Sequence, residues 1–117
     1  MDTTYKNIAN LIWIEAQPGH VLDVLAGRGY LSGEFLSLGG NSIDCVDILP
    51  VEEFPLSDLV TYWQADINKP LPMESESYDC VVSREGIEHL VTPFAFLREL
   101  CRLVKPSGHL VITTPTS

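Results

Sequence analysis

Basic residues are scarce in this chain. Against 16 Asp and Glu there are only 7 Lys and Arg among 117 residues, for a formal charge of −9. Binding to a polyanion rests on clustered cations that displace its counterions, and no Lys/Arg cluster occurs, which argues against a direct nucleic-acid partner. The acidity is chiefly a matter of solubility. Cysteine is sparse too. Cys45, Cys80 and Cys101 are odd in number, far apart and set among apolar neighbours. They fit reduced core thiols, not a disulfide frame. The three histidines lack metal-ligand spacing and no cysteine joins them, so no metal is expected. No apolar run approaches the roughly 20 residues that span a bilayer, and Met1-Asp2-Thr3-Thr4-Tyr5-Lys6 lacks the basic start and apolar core of a signal peptide. The expectation is a cytoplasmic protein with no membrane partner. Walker loops and serine nucleophile elbows are missing as well.

What is present centres on Val21-Leu22-Asp23-Val24-Leu25-Ala26-Gly27-Arg28-Gly29. Val21, Leu22, Val24 and Leu25 form the short apolar run of a strand covered on both faces. Gly27 and Gly29 allow a tight turn and close approach of a ligand to bare backbone. Leu31, Phe35 and Leu38 then mark one face of a helix that Gly39-Gly40 ends. A strand, glycine turn and helix of this kind form a cofactor site at the carboxyl end of a parallel strand.

The rest of the chain alternates in the same way. Residues 3–16 predict an amphipathic helix with Tyr5, Ile8, Ala9, Ile12 and Ala16 on one side. Trp13 lies off that stripe, either over the cofactor mouth or on the sheet edge. Residues 42–48 predict a second strand with Asp47 at its end. That acid either accepts from ribose hydroxyls or caps the following turn. Residues 50–57 are too broken by proline for a long helix. A third strand is expected at 59–64, a proline-punctuated loop at 68–74 and a fourth strand at 78–83. Thr92-Pro93 opens a helix with a capping hydroxyl and proline at the first position, with Phe94, Leu97, Cys101 and Val104 as its buried face. Lys105-Pro106-Ser107-Gly108 ends the helix, and His109 to Thr114 forms the fifth strand. The pattern predicts a single domain over residues 1–117 of α/β class, with a doubly wound parallel sheet. Gly27, Asp47, Asp66 and Ser83 all fall at strand ends, on one rim.

These segments, in this order, resemble the class I S-adenosylmethionine-dependent methyltransferases, of the type 11 kind. The resemblance rests on Val21 to Gly29 and Val46-Asp47-Ile48. It continues through Gln64-Ala65-Asp66-Ile67, Ser77-Tyr78-Asp79, Gly86-Ile87-Glu88-His89-Leu90 and the run from Phe96 through Gly108 to Pro115. It implies a Rossmann-like fold with strand order 3-2-1-4-5. It also implies S-adenosylmethionine as cofactor and methyl transfer to a small-molecule acceptor. By the same resemblance, the backbone of Leu25, Ala26, Gly27 and Gly29 cradles the methionine moiety and Asp23 anchors its amino group from below. Asp47 and Ile48 meet the ribose side, Asp66 and Ile67 meet the adenine, and Ser83 borders the methionine tail. His89 either acts as a general base or bonds to backbone at a helix entry.

The chain departs from the family pattern in two ways. Leu25 stands where the family usually has a small residue, most often glycine; its side chain either crowds the cofactor or turns into the core. The sequence also stops at Ser117, where the family usually continues with further strands. The expectation is either a truncated fragment or a homo-oligomer or partner that covers the His109 to Thr114 edge. One rival function is a catalytically silent methyltransferase-like domain acting through association. The other is a nicotinamide-binding domain, disfavoured because Ser32 replaces the third glycine of the dinucleotide fingerprint.

Overall fold

The computed structural model describes residues 5–16, 19–26, 29–38, 42–53, 58–84 and 92–113. The elements run α1 (Tyr5–Ala16), β1 (Val21–Val24), α2 (Tyr30–Ser37), β2 (Ile43–Asp47), a 3-10 turn (Val51–Glu53), β3 (Val60–Gln64), β4 (Tyr78–Arg84), α3 (Pro93–Leu103) and β5 (Val104–Thr113). The five strands are parallel, in the order β3-β2-β1-β4-β5. This is the doubly wound α/β order expected from the sequence.

Strand β1 is central and buried throughout, which is why it reads as a nearly unbroken apolar run. Its side chains alternate between two cores. Val21 packs with Ile8 and Ala9 of α1, Leu31 and Phe35 of α2, and Ile43, Cys45, Cys80 and Val82. Leu22 and Val24 pack on the opposite face with Leu71, Met73, Tyr78, Phe96, Leu100 and Leu103. Burying a side chain such as Phe35 or Leu100 contributes about 2 kcal/mol, so these two layers supply the main driving force.

Three expectations are corrected. Helix α3 buries Phe96, Leu100 and Leu103, while Phe94 is 81% exposed and Cys101 is exposed. The helix offers two apolar stripes, and tertiary bonding chooses between them. Glu99 accepts from the Leu71 amide and pairs with Arg102 at 2.7 Å; Arg102 donates to the Met73 carbonyl at 2.9 Å and the Leu71 carbonyl at 3.2 Å. That pair ties α3 to the segment crossing the sheet face and fixes its rotation. Thr92 stands at the N-cap, but its hydroxyl makes no capping bond; its carbonyl accepts from the Phe96 amide instead.

The third correction concerns β5, which begins at Val104, directly after α3. Val104 pairs with Tyr78 and His109 with Cys80, so residues 105–108 oppose Asp79 alone. This is a bulge. Gly108 is required there, because a Cβ would lie 2.7 Å from the Asp79 carbonyl oxygen. No strand pairs with the outer edge of β5 among the described residues. No described helix is long and apolar enough to cross a membrane.

Candidate functional site

The carboxyl ends of the strands gather the candidate residues on one rim. Gly27 and His89 lie outside the described residues, as do residues 39–41 that follow α2. Of the remainder, Asp23 is the most informative. By alternation it shares a face with Val21, and it sits in register between Cys45 and Val82. It is 2% exposed, and its Oδ2 has no hydrogen-bond partner among the described residues. Burial, with a smaller contribution from the Asp47 charge, pushes its carboxyl up to about 8. An unpaired buried carboxylate is costly, and such groups cluster where a ligand or reaction needs them. Burial and the charge of Asp23 also push the Cys45 thiol up, so it stays protonated.

Above Asp23 the chain turns from β1 into α2. Gly29 adopts a left-handed backbone (φ 80°) at the head of α2 and donates from its amide to the Ala26 carbonyl at 3.0 Å. Ser32, buried in the first turn of α2, donates from Oγ to the Gly29 carbonyl at 2.9 Å. Leu25 is also left-handed (φ 64°), a conformation that costs a residue with a Cβ about 1 kcal/mol. Its side chain packs against the Leu22–Val24 core. Of the two fates open to Leu25 from the sequence, it takes the inward one. The Leu25 and Ala26 amides both donate to the Val46 carbonyl, at 2.9 and 3.1 Å, so the turn is fastened to the end of β2.

Asp47 closes β2 with 9% exposure. Its Oδ1 accepts from the Ile48 amide at 2.7 Å and the Leu49 amide at 3.3 Å. The capping role therefore exists, without excluding a ligand role for the rest of the carboxylate. Tyr62, one strand over, donates from its hydroxyl to the Leu49 carbonyl at 2.6 Å and to the Asp47 carbonyl at 3.2 Å. Sequence reading missed this support. Its only signal is an aromatic hydroxyl two residues before the end of a neighbouring strand. Ile48 is 63% exposed beside Asp47, an apolar face available to a ligand.

Beyond β3, Asp66 Oδ1 accepts from the Asn68 amide at 2.9 Å, and Ile67 packs against the second core. Ile67, Asn68 and Pro70 face Thr92, Phe96 and Glu99 across a cavity of about 110 Å³. Ser83, in register with Val24 and Ile112, is buried with its Oγ unpartnered among the described residues. So is Thr113 Oγ1 at the end of β5, a residue the sequence reading did not single out. Asp23, Leu25, Ala26, Gly29, Asp47, Ile48, Asp66, Ile67 and Ser83 thus all lie at or under one rim. No group of three or more His, Cys, Asp or Glu suited to a metal occurs among the described residues.

A parallel sheet of this order, with an acid in β1 under a glycine turn and a second acid closing β2, defines a nucleotide-type α/β domain. Residues 22–112 match the family model of the methyltransferase domain, and the chain belongs to that family. It is 34% identical to a ubiquinone biosynthesis O-methyltransferase of Proteus mirabilis, over 80% of this chain and 41% of that protein. It is 27% identical to a methyltransferase (str2) of Strobilurus tenacellus, over 96% of this chain and 43% of that one. The chain thus spans about two fifths of the length of these relatives. Among solved structures, a protein of Methanococcus maripaludis described as an S-adenosyl-L-methionine-dependent methyltransferase superposes with a TM-score of 0.80. The identity is 24%, over 94% of this chain and 55% of that one. A protein of Galdieria sulphuraria, described as a sarcosine dimethylglycine methyltransferase, gives 0.80 at 26% identity, covering 93% and 44%. The fold is that of S-adenosylmethionine-dependent methyltransferases.

Proposed function

We propose that this chain is the cofactor-binding part of a methyltransferase that uses S-adenosylmethionine and modifies a small-molecule acceptor. The observation that carries the reading is Asp23, whose buried Oδ2 lacks a partner among the described residues beneath the β1–α2 turn. A cofactor amino group above that turn gives the carboxylate its missing counter-charge, directly or through water. Asp47 would hold the ribose hydroxyls, with Ile48 as an apolar wall. Asp66 would accept from the adenine amino group beside Ile67. The backbone of Leu25, Ala26, Gly27 and Gly29 would flank the methionine moiety, and Ser83 would border its tail.

When bound, this cofactor supplies a sulfonium-activated methyl for in-line transfer. The protein's part is therefore binding, alignment and exclusion of water. His89 is the candidate base for an acceptor that must lose a proton. The Leu25 side chain packs inward against the Leu22–Val24 core, which together with the unpartnered Asp23 Oδ2 supports a fit of these residues to the group.

A second reading is a silent domain that keeps the fold and acts through association. It is favoured by the Leu25 and Ala26 amides, which both donate to the Val46 carbonyl and so are not offered to a ligand. Calorimetric titration with S-adenosylhomocysteine separates the two. Micromolar binding that collapses in Asp47→Ala supports the methyltransferase reading, and no binding by the folded chain supports the silent one.

A further inference from the structure

The segment from β3 to β4 crosses the sheet face and leaves beneath it a cavity of about 380 Å³. His20, Asp44, Trp63, Met73, Glu74 and Tyr78 line it. His20 precedes β1, Asp44 is second in β2 and Tyr78 opens β4, so the cavity reaches toward the amino ends of the strands. None of the rim residues assigned to the cofactor lines it. Its volume falls in the range of small-molecule sites, roughly 300–1,000 Å³.

The wall chemistry is one-sided. Asp44 and Glu74 contribute carboxylates, Trp63, Tyr78 and His20 contribute rings, and Met73 contributes a thioether. No lysine or arginine is among the described lining residues. Asp44 is the deeper charge, with its side chain 14% exposed. Its Oδ2 accepts from the Tyr78 hydroxyl at 2.7 Å and lies 3.4 Å from His20 Nε2. Its Oδ1 has no partner among the described residues. Burial and the Asp44 carboxylate push the Tyr78 hydroxyl up, so it remains a neutral donor and cannot offset the charge.

His20 is held as part of the wall. Its ring lies 4.5 Å from that of Tyr78, its Nδ1 is 3.1 Å from the Ser77 carbonyl, and its amide donates to Asp79 Oδ2 at 2.7 Å. The wall is thus preorganised, which lowers the ordering cost of binding. A half-paired carboxylate beside aromatic faces attracts a cation with an apolar body, through charge-assisted hydrogen bonding and cation–π attraction. We infer that this cavity is a second small-molecule site, and that it takes an organic amine. The ammonium sits against Asp44 and the body against Trp63 and Met73.

The test is an amide chemical-shift titration of the whole chain with 2-phenylethylamine and its neutral counterpart 2-phenylethanol. The amine should shift Asp44, Met73, Ser77 and Tyr78 and bind at least about tenfold more tightly than the alcohol. Saturating S-adenosylhomocysteine should leave that affinity unchanged. Asp44→Asn should bring the amine down to the level of the alcohol. If Asp44→Asn fails to fold, exposed Glu74→Gln should still lower the preference for the amine about twofold. Equal affinity for amine and alcohol overturns the proposal. So do shifts confined to Asp47 and Asp66, displacement by S-adenosylhomocysteine, or no shifts at all. This test does not depend on the methyltransferase reading, because it is scored at different residues and with a different ligand.

Discussion

At the amino end of the sheet, polar groups bond to one another. Asp79 accepts from the His20 amide at 2.7 Å and from Lys105 Nζ at 3.2 Å, and Tyr78 donates to Asp44. At the carboxyl end several do not. Buried side-chain polar atoms without a partner among the described residues occur at Asp23, Trp63, Ser83 and Thr113. Each falls in the carboxyl half of its strand. A left-handed non-glycine residue occurs at each end, Leu25 on this rim and Glu76 ahead of β4, so backbone strain does not by itself separate them. Fully buried unpartnered atoms thus lie, among the described residues, in the carboxyl halves of the strands, whereas at the amino end the partly exposed Asp44 Oδ1 is what lacks a partner. Stability is gained where bonds close internally. Function is found where a fold tolerates unpaired groups and backbone strain until a ligand arrives.

The sharpest way to break that contrast is at Asp47. Asp47→Ala should weaken S-adenosylhomocysteine binding about 100-fold, the loss expected when a carboxylate bonding two hydroxyls is removed. It should cost only about 1 kcal/mol of stability, for the lost caps on the Ile48 and Leu49 amides. Calorimetry and a urea melt read the two separately. An Asp47→Ala chain that binds as before removes the carboxyl rim from the cofactor reading.

Asp23 sharpens the contrast through pH. Its folded-state value is pushed from the usual 3.8 up to about 8. Below that window both states hold the proton. Within it the unfolded chain ionises Asp23 while the folded chain keeps the proton, so the folded state binds more protons and stability falls as pH rises. Asp23→Asn should flatten this slope and raise stability at pH 8 by on the order of 2 kcal/mol, as urea melts across the window would record. It should at the same time weaken S-adenosylhomocysteine. A variant that is less stable at pH 8 would mean that the carboxylate finds a partner.

Asp79 works in the opposite sense. The His20 amide, then Lys105, hold its carboxyl below the usual range. Its contribution is present above the unfolded value and is lost as pH falls through the folded one. The Asp79 side chain is 37% exposed and its ion pair is screened by solvent, so Asp79→Ala should cost only about 1 kcal/mol near neutrality. It should leave S-adenosylhomocysteine affinity unchanged. Parallel melts and titrations decide whether the two ends are separable; a matching loss of affinity would show that they are not.

Much of the fold was legible because it depends on local pattern. The apolar run of β1, the alternation around it, the acid ending β2 and the acid just beyond β3 all follow from period and punctuation. The rotation of α3 was not. Phe94-Ala95-Phe96-Leu97 offers apolar residues on more than one side, and the Glu99–Arg102 pair that selects Phe96, Leu100 and Leu103 acts on backbone some 30 residues away in sequence. The β5 bulge was hidden for a similar reason: Lys105 to Gly108 reads as a helix stop, and only the opposing Asp79 makes it part of a strand. In the site, acids at strand ends could be found from spacing. Tyr62 and Thr113 could not, because their importance lies in what a neighbouring strand leaves exposed or unpaired.

The smallest effect is also the most specific to the rim. At ordinary positions alanine is better tolerated than glycine by about 0.5–1 kcal/mol, because glycine loses more freedom on folding. At Leu25 the order should reverse. Both Leu25→Ala and Leu25→Gly give up the contact with the Leu22–Val24 core. Alanine keeps the strain of φ 64°, whereas glycine does not. Leu25→Gly should therefore be the more stable of the two by about 0.5–1 kcal/mol, measured as the difference between their urea midpoints. Lys105→Gly and Lys105→Ala, at the amino end, serve as the control. They should show no such reversal, since Lys105 has no positive φ. If Leu25→Ala proves more stable than Leu25→Gly, the turn has relaxed away from the left-handed region, and strain can no longer be counted among the features of the carboxyl rim.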